Sequence, residues 1–304
     1  MRVLLLPALL TLLIVPARAE DWTLDGVTAT WENDLFGGLD RHYTNGVELS
    51  LFGDVPAGEL GFFLGERGGR WRLTLGQRIY TPEDLDAPDL LTGDRPYGGW
   101  LWLGFSLRRW GADAKWTDRV GVELGLLGPE SGAQVVHETV HSDLTGSSPP
   151  RGWEHQLETE VGLRFTYELA VTLVRREFGV LGYEITPRLA ASFGNVQTFA
   201  GLGADLRVGR LPPLSPDVDE FALFLALGGE GRLVLHDVFL DGSLLHTGGH
   251  RVTARRVVFD LRAGLTLQLP CGLVLAYTHT LRSVEFAGQG GVDQFGSFSV
   301  TWTW

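Results

Sequence analysis

The sequence predicts an all-β protein: a transmembrane antiparallel β-barrel of about twelve strands, preceded by a cleaved signal peptide. Three observations carry that expectation. The chain opens on a secretory leader and closes on a strand of strict two-residue alternation, and strand-length segments separated by turn residues run between them.

The leader comes first. Arg2 precedes an apolar run from Val3 to Val15, and Ala17-Arg18-Ala19 follows as a small-residue cleavage site. The run is too short for the about 20 residues that a membrane-spanning helix needs. Residues 1–19 therefore read as a signal peptide, with residues 20–304 as one barrel domain.

Composition narrows the rest. Of 304 residues, 44% are hydrophobic and 20% charged, which suits a folded chain rather than a disordered one. A net charge of −12 excludes the basic face that a nucleic-acid partner requires. The single cysteine, Cys271, excludes an internal disulfide framework and any CxxC site.

The last strand separates a barrel from a soluble β-protein. Phe298, Val300, Trp302 and Trp304 alternate with Ser299, Thr301 and Thr303, giving one hydrocarbon face and one wet face. Ending a chain on an exposed Trp-x-Trp suits lipid better than water. Working back, strand-like segments lie near 22–33, 45–54, 70–81, 97–110, 116–128, 156–173, 180–195, 198–209, 221–240, 251–269, 272–286 and 294–304. Trp100, Trp102, Trp110, Trp302 and Trp304 are candidates for interfacial girdles. An even count puts both termini on the periplasmic side. The loops near 34–44, 82–96, 129–155, 195–198, 241–250 and 287–293 are then extracellular, and the third is long enough to suggest function.

Polar chemistry collects in three of these loops: around Glu32 to Gly46, around Gly93 to Tyr97, and from Gly128 to Trp153. Strand parity places Thr28, Thr30 and Glu32 on the lumen face, and extending it predicts that Asp34 and Thr44 also look inward at the rim. His137-Glu138-x-x-His141 matches the HExxH zinc signature, which needs a helix and a third ligand; none follows downstream. No G-x-S-x-G elbow supports a serine hydrolase.

At these clusters the chain resembles the outer-membrane lipid A 3′-O-deacylase (LpxR-like) family. The shared pattern includes Asn33-Asp34, Asp40-Arg41-His42-Tyr43-Thr44-Asn45-Gly46, Gly76-Gln77, Asp94-Arg95-Pro96-Tyr97 and Gly128-Pro129. His141, Gly152-Trp153, Gly194-Asn195-Val196 and Glu285 to Gln289 continue it. The resemblance implies a twelve-stranded barrel and a calcium-dependent esterase that removes the 3′-linked acyl chain of lipid A in the outer leaflet. It places catalytic roles on His141, Asn33, Asp34 and Thr44, with His141 rather than His137 as general base and Asp34 at the Ca²⁺. Arg41, Arg95 and Arg151 are candidate contacts for the lipid A phosphates.

One departure stands out. The family's type member carries a Glu six residues after the catalytic His, and Ser147 takes that place here. Asp143 and Glu160 are the carboxylates available to compensate, with Asp143 expected beside Asp34 as a metal ligand. The 83–94 segment also offers no Lys or Arg. The expected partners are lipid A and outer-membrane lipid. The alternative is a non-catalytic barrel, either a channel or a structural scaffold.

Overall fold

A computed structural model describes residues 22–56, 69–111, 114–146, 148–214 and 220–304. The expected signal peptide and Ser147 lie outside the described residues. In chain order the strands are β1 (Gly26–Asn33), β2 (His42–Val55), β3 (Gly69–Thr81), β4 (Gly98–Trp110), β5 (Trp116–Leu127), β6 (Glu160–Val171), β7 (Val174–Phe178), β8 (Leu181–Gly194), β9 (Gln197–Arg210), β10 (Ala222–Asp237), β11 (Val257–Gln268), β12 (Leu273–Arg282) and β13 (Asp293–Thr303).

All neighbours pair antiparallel. β1 pairs β13 from Gly26↔Thr303 to Asn33↔Gly296, and β6 pairs β8, which closes the sheet. Short β7 continues the pairing of β6 along β8, so thirteen named strands make a twelve-stranded ring. The expected strand at 156–173 is β6, which runs only from Glu160 to Val171, and β7 follows beyond it. Closure gives each of β1–β6 and β8–β13 a neighbour on both edges, as hydrocarbon demands of a spanning sheet. Among the described residues no helix is long and apolar enough to cross a membrane.

Parity along the strands sorts the side chains. Val47, Leu49 and Leu51 are exposed on β2, Leu223, Leu225 and Leu227 on β10, and Phe298 and Trp302 on β13; together they form the lipid-facing belt. The alternate residues face inward. Trp100 and Trp102 are buried and stack at 4.5 Å, so they belong to the lumen and not to a lipid girdle.

The lumen is filled toward the end that carries the loops after β1, β3 and β5. Trp100, Trp102, Leu127, Leu157, Val196, Val238 and Phe239 form an apolar plug, and Tyr80 stacks on Phe239 at 4.0 Å. Phe239 comes from a helical turn, α2 (Val238–Asp241), where strand continuation to 240 was expected. Asp237 caps that turn, its side chain accepting from the Phe239 amide. Ion pairs surround the plug. Asp260 accepts from Arg232 and Arg282, each at 3.0 Å, and Glu285 accepts from Arg95 at 3.1 Å. Arg164 lies 4.9 Å from the Trp100 ring centre while pairing with Glu123 at 2.7 Å.

Two outcomes follow from this interior. In planar lipid bilayers the folded protein should show no porin-like conductance steps. Asp260→Ala should leave two buried guanidiniums without their carboxylate and cost about 3–5 kcal/mol, read as a lower urea midpoint for loss of the heat-modifiable band.

Candidate active site

The long loop after β5 builds the site. Gly128 adopts φ +74°, a conformation that favours glycine, and a Cβ there would press on the Leu157 and Glu158 carbonyls at 2.5 Å. Pro129 then sits in the first turn of a short 3-10 helix, and Ser131 Oγ donates to the Gly128 carbonyl at 2.6 Å. Gly132 ends that turn and opens helix α1 (Ala133–Thr139), which continues as a wider π turn through Val140–Thr145.

Helix α1 lies against the outer wall of the barrel. Gln77 Nε2 on β3 donates to the Ser131 carbonyl at 2.8 Å, with the parity of lipid-facing Leu75. Gly99 on β4 shares the outward parity of Leu101 and Leu103. A Cβ at Gly99 would collide with Ser131 Oγ and Ala133 Cβ, so only glycine lets the loop come this close. Ile79, Tyr97, Ala133 and Trp153 form the small core beneath the helix, with the Tyr97 and Trp153 rings 4.6 Å apart.

Between α1 and the wall lies a cleft of about 80 Å³. Asn33, Asp34, Asp40, Thr44, Asn45, Ile79, His137 and His141 are among its lining residues. All four expected catalytic residues, His141, Asn33, Asp34 and Thr44, therefore meet in one place. Asn33 and Asp34 are buried at the start of a 3-10 turn that follows β1. Asn33 Oδ1 accepts from the Leu35 amide at 2.8 Å, and Asn33 Nδ2 donates to Asn45 Oδ1 at 3.3 Å. Asp34 Oδ2 accepts from the Arg41 amide at 2.6 Å, whereas its buried Oδ1 has no hydrogen-bond partner. Burial pushes the Asp34 carboxyl up to about 9, opposed by the Arg41 amide and reinforced by the charge of Asp40.

The expected inward direction of Asp34 and Thr44 is corrected. The β2–β3 register shifts between Tyr43 and Asn45, so Thr44 is the extra residue of a bulge. Tyr43 pairs with inward-facing Tyr80, while Asn45 pairs with outward-facing Ile79, and Thr44 Oγ1 lies 2.7 Å from Thr81 Oγ1 on the cleft side. Asp34 is past the strand end, where two-residue alternation no longer applies.

His42, just before the bulge, holds φ +65°, which is uncommon outside glycine. It is fully buried, with Nδ1 2.8 Å from Asp293 Oδ1 and Nε2 3.5 Å from Asp94. This imidazole braces the rim. Its role was not apparent because both carboxylates are remote in sequence, Asp94 in the loop before β4 and Asp293 at the start of β13.

Across the cleft, His141 Nδ1 lies 3.2 Å from the Ser148 carbonyl and Nε2 lies 3.6 Å from Asp40 Oδ2. A proton on Nδ1, donated to Ser148, leaves the Nε2 lone pair facing the cleft. His137 is buried against Trp153 and His141, with neither ring nitrogen hydrogen-bonded. Burial and the neighbouring His141 push its pKa down to about 3, so it is neutral. Asp40, which sequence spacing did not single out, joins these two histidines: one ligand atom from each lies within 4.8 Å of the others.

The remaining expected residues fall elsewhere. Asp143 is exposed, accepts from Ser142 Oγ at 2.9 Å and does not line the cleft. Glu160 is buried on β6 and holds Asn195 and Ser243. Arg95 belongs to the lumen ion pairs. Arg41 pairs with Glu83 and lies 3.4 Å from Asp293. Arg151 is exposed and borders an open groove on the other side of α1, beside Gln134 and Glu138.

Comparison with known proteins agrees with this architecture. LpxR from Salmonella typhimurium superimposes with a TM-score of 0.77 at 20% identity, over 92% of this chain and 100% of that one. The beta domain of the Bordetella autotransporter Brka gives a TM-score of 0.48 at 12% identity, over 92% and 98%. Among curated proteins none matches the sequence. Residues 4–304 match the family model described as outer membrane protein LpxR. The chain belongs to the LpxR family of outer-membrane proteins.

Proposed function

We propose that this protein is a calcium-dependent esterase of the outer membrane that hydrolyses the 3′-linked acyl chain of lipid A. The observation that carries this reading is the cleft itself. A buried carboxylate, a hydroxyl and an imidazole meet on the lipid-facing side of the wall, beneath a helix, at the rim of the barrel. An acyl ester sits at that depth in a leaflet, between headgroup and hydrocarbon. A lipid could reach the cleft sideways without leaving the membrane. The loop-bearing end then faces the cell exterior, where lipid A resides.

His141 Nε2 is the base. It takes a proton from water, and the imidazolium so formed faces Asp40, 3.6 Å away. Nδ1, held toward the Ser148 carbonyl, keeps the ring in the required tautomer. The Asp34 carboxylate is the principal candidate ligand for Ca²⁺, because its orphaned Oδ1 is a buried oxygen lacking a partner. Asp34, the Asn33 amide and the Thr44 hydroxyl supply the oxygen donors that a hard cation prefers. When bound, the cation polarises the ester carbonyl and stabilises the oxyanion. Asn33 and Thr44 orient the ester, and exposed Arg151 is the arginine best placed to meet a phosphate. The channel alternative loses support from the filled lumen.

Mass spectrometry of lipid A from cells with and without the protein is the direct test. Wild type should lose the 3′-linked acyl chain, and His141→Ala or Asp34→Asn should lower turnover by about 10³-fold or more while the barrel stays heat-modifiable. Unchanged lipid A with folded protein and Ca²⁺ present would overturn the reading.

Calcium affinity should depend on pH. The folded-state pKa of Asp34 is raised from 3.8 to about 9, so without a cation the carboxyl holds a proton at neutral pH. Ionising it opposes folding increasingly as pH rises from the lower value to the higher, and a bound cation reverses that penalty. Apparent affinity should climb by up to about tenfold per pH unit below the raised pKa. Calorimetry in two buffers of different ionisation enthalpy should show close to one proton released per Ca²⁺.

A further inference from the structure

Three features that the proposed reaction does not account for invite a function: the arginine-lined cavity near the opposite end of the lumen, the open groove beside Arg151, and the pairing of His137 on α1 with His141 in the π turn that follows it. The third is the most fully specified by its geometry.

His137 and His141 stand one helical turn apart on one face, and their rings pack edge to face at 4.7 Å. Three properties of the pair point to a ligand. His137 is 3% exposed, yet neither ring nitrogen has a hydrogen-bond partner. An imidazole kept only for packing would be replaced at no loss by an apolar ring, because a buried polar group without a partner is destabilising. Next, His141 presents Nε2 to the cleft and turns Nδ1 toward the Ser148 carbonyl, the outer-shell arrangement that orients metal-ligating histidines. Last, Asp40 reaches across from the β1–β2 loop, bringing one ligand atom of each residue within 4.8 Å of the others.

We propose that Asp40, His137 and His141 form a second metal site, selective for a first-row transition ion such as Zn²⁺ and distinct from the oxygen-rich Asp34 position. Two imidazole nitrogens and one carboxylate oxygen suit Zn²⁺, which commonly takes three protein ligands and keeps one position for water. Tetrahedral donors at about 2.0–2.1 Å from zinc lie about 3.4 Å from one another, so binding draws the group together by about an ångström. His141 Nε2 and Asp40 Oδ2, at 3.6 Å, are already near that spacing.

The site is not a peptidase of the HExxH type. Glu138 accepts from Gln134 Nε2 at 2.8 Å and lines the groove on the other side of the helix, away from the three ligands. It has no access to a metal-bound water. The consequence is inhibition: a transition metal here occupies the lone pair that His141 needs as a base. Metal capture does not depend on the esterase activity, whereas inhibition rests on it.

The test uses chelator-stripped full-length protein in detergent, titrated with Co²⁺ and followed by visible absorption. Wild type should develop the intense band of a four-coordinate nitrogen–oxygen site at one equivalent, displaced by Zn²⁺ and not by Ca²⁺. His137→Leu should abolish the band, Asp40→Asn should weaken binding at least about tenfold, and Asp34→Asn should retain it. In mixed micelles of lipid A with Ca²⁺, one equivalent of Zn²⁺ should block acyl release by wild type and spare His137→Leu. A heat-modifiable wild type without the band overturns the site, as does a band that survives both His137→Leu and Asp40→Asn. Equal inhibition of wild type and His137→Leu overturns the inhibitory role. A normal band in a protein that releases no acyl chain sustains the metal site and removes the esterase reading.

Discussion

Hydrocarbon offers no partner to a peptide group, and that single constraint shapes the whole molecule. Every backbone N–H and C=O within the membrane must be met by the sheet itself, so the strands close into a ring. Closure brings β1 beside both β2 and β13, and the β1–β2 loop shares its cleft with Ile79 of β3 and the histidines of the loop after β5. The cleft exists because these rim segments, far apart in sequence, become neighbours there. Its other wall is a loop segment that the ring did not have to use for hydrogen bonding.

Alternation made most of the ring legible in the sequence. The face assignments of Thr28, Thr30, Phe298 and Trp302 hold, because a period of two survives wherever pairing is regular. It failed where the ladder is irregular. Thr44 sits in a bulge and Asp34 follows a strand end, so extending the strand parity through them pointed to the lumen instead of the outer wall. That Asn33, Asp34, Thr44 and His141 would meet at the rim was legible; the side of the wall they occupy was not.

Other misses share a cause in tertiary pairing. Arg95 has the composition of a phosphate ligand, but Glu285, 190 residues away, claims it inside the barrel. Zinc signatures usually place a third ligand downstream of the second His, whereas the third member of this cluster is upstream Asp40. One further signal stands in the sequence. Gly98-Gly99 at the head of β4 marks close approach on both faces, Gly98 to Phe239 in the lumen and Gly99 to Ala133 outside. Paired glycines at the edge of a strand point to something packed against the wall, and here that is α1 on one side and the plug on the other.

The plug also bears on what the cell can tolerate. An outer membrane is a permeability barrier, and each water-filled barrel inserted in it is a leak. With Trp100, Trp102, Leu127 and Phe239 packed across the interior, abundance is decoupled from leakage. Copy number can rise with demand, without admitting the detergents and antibiotics that the membrane exists to exclude.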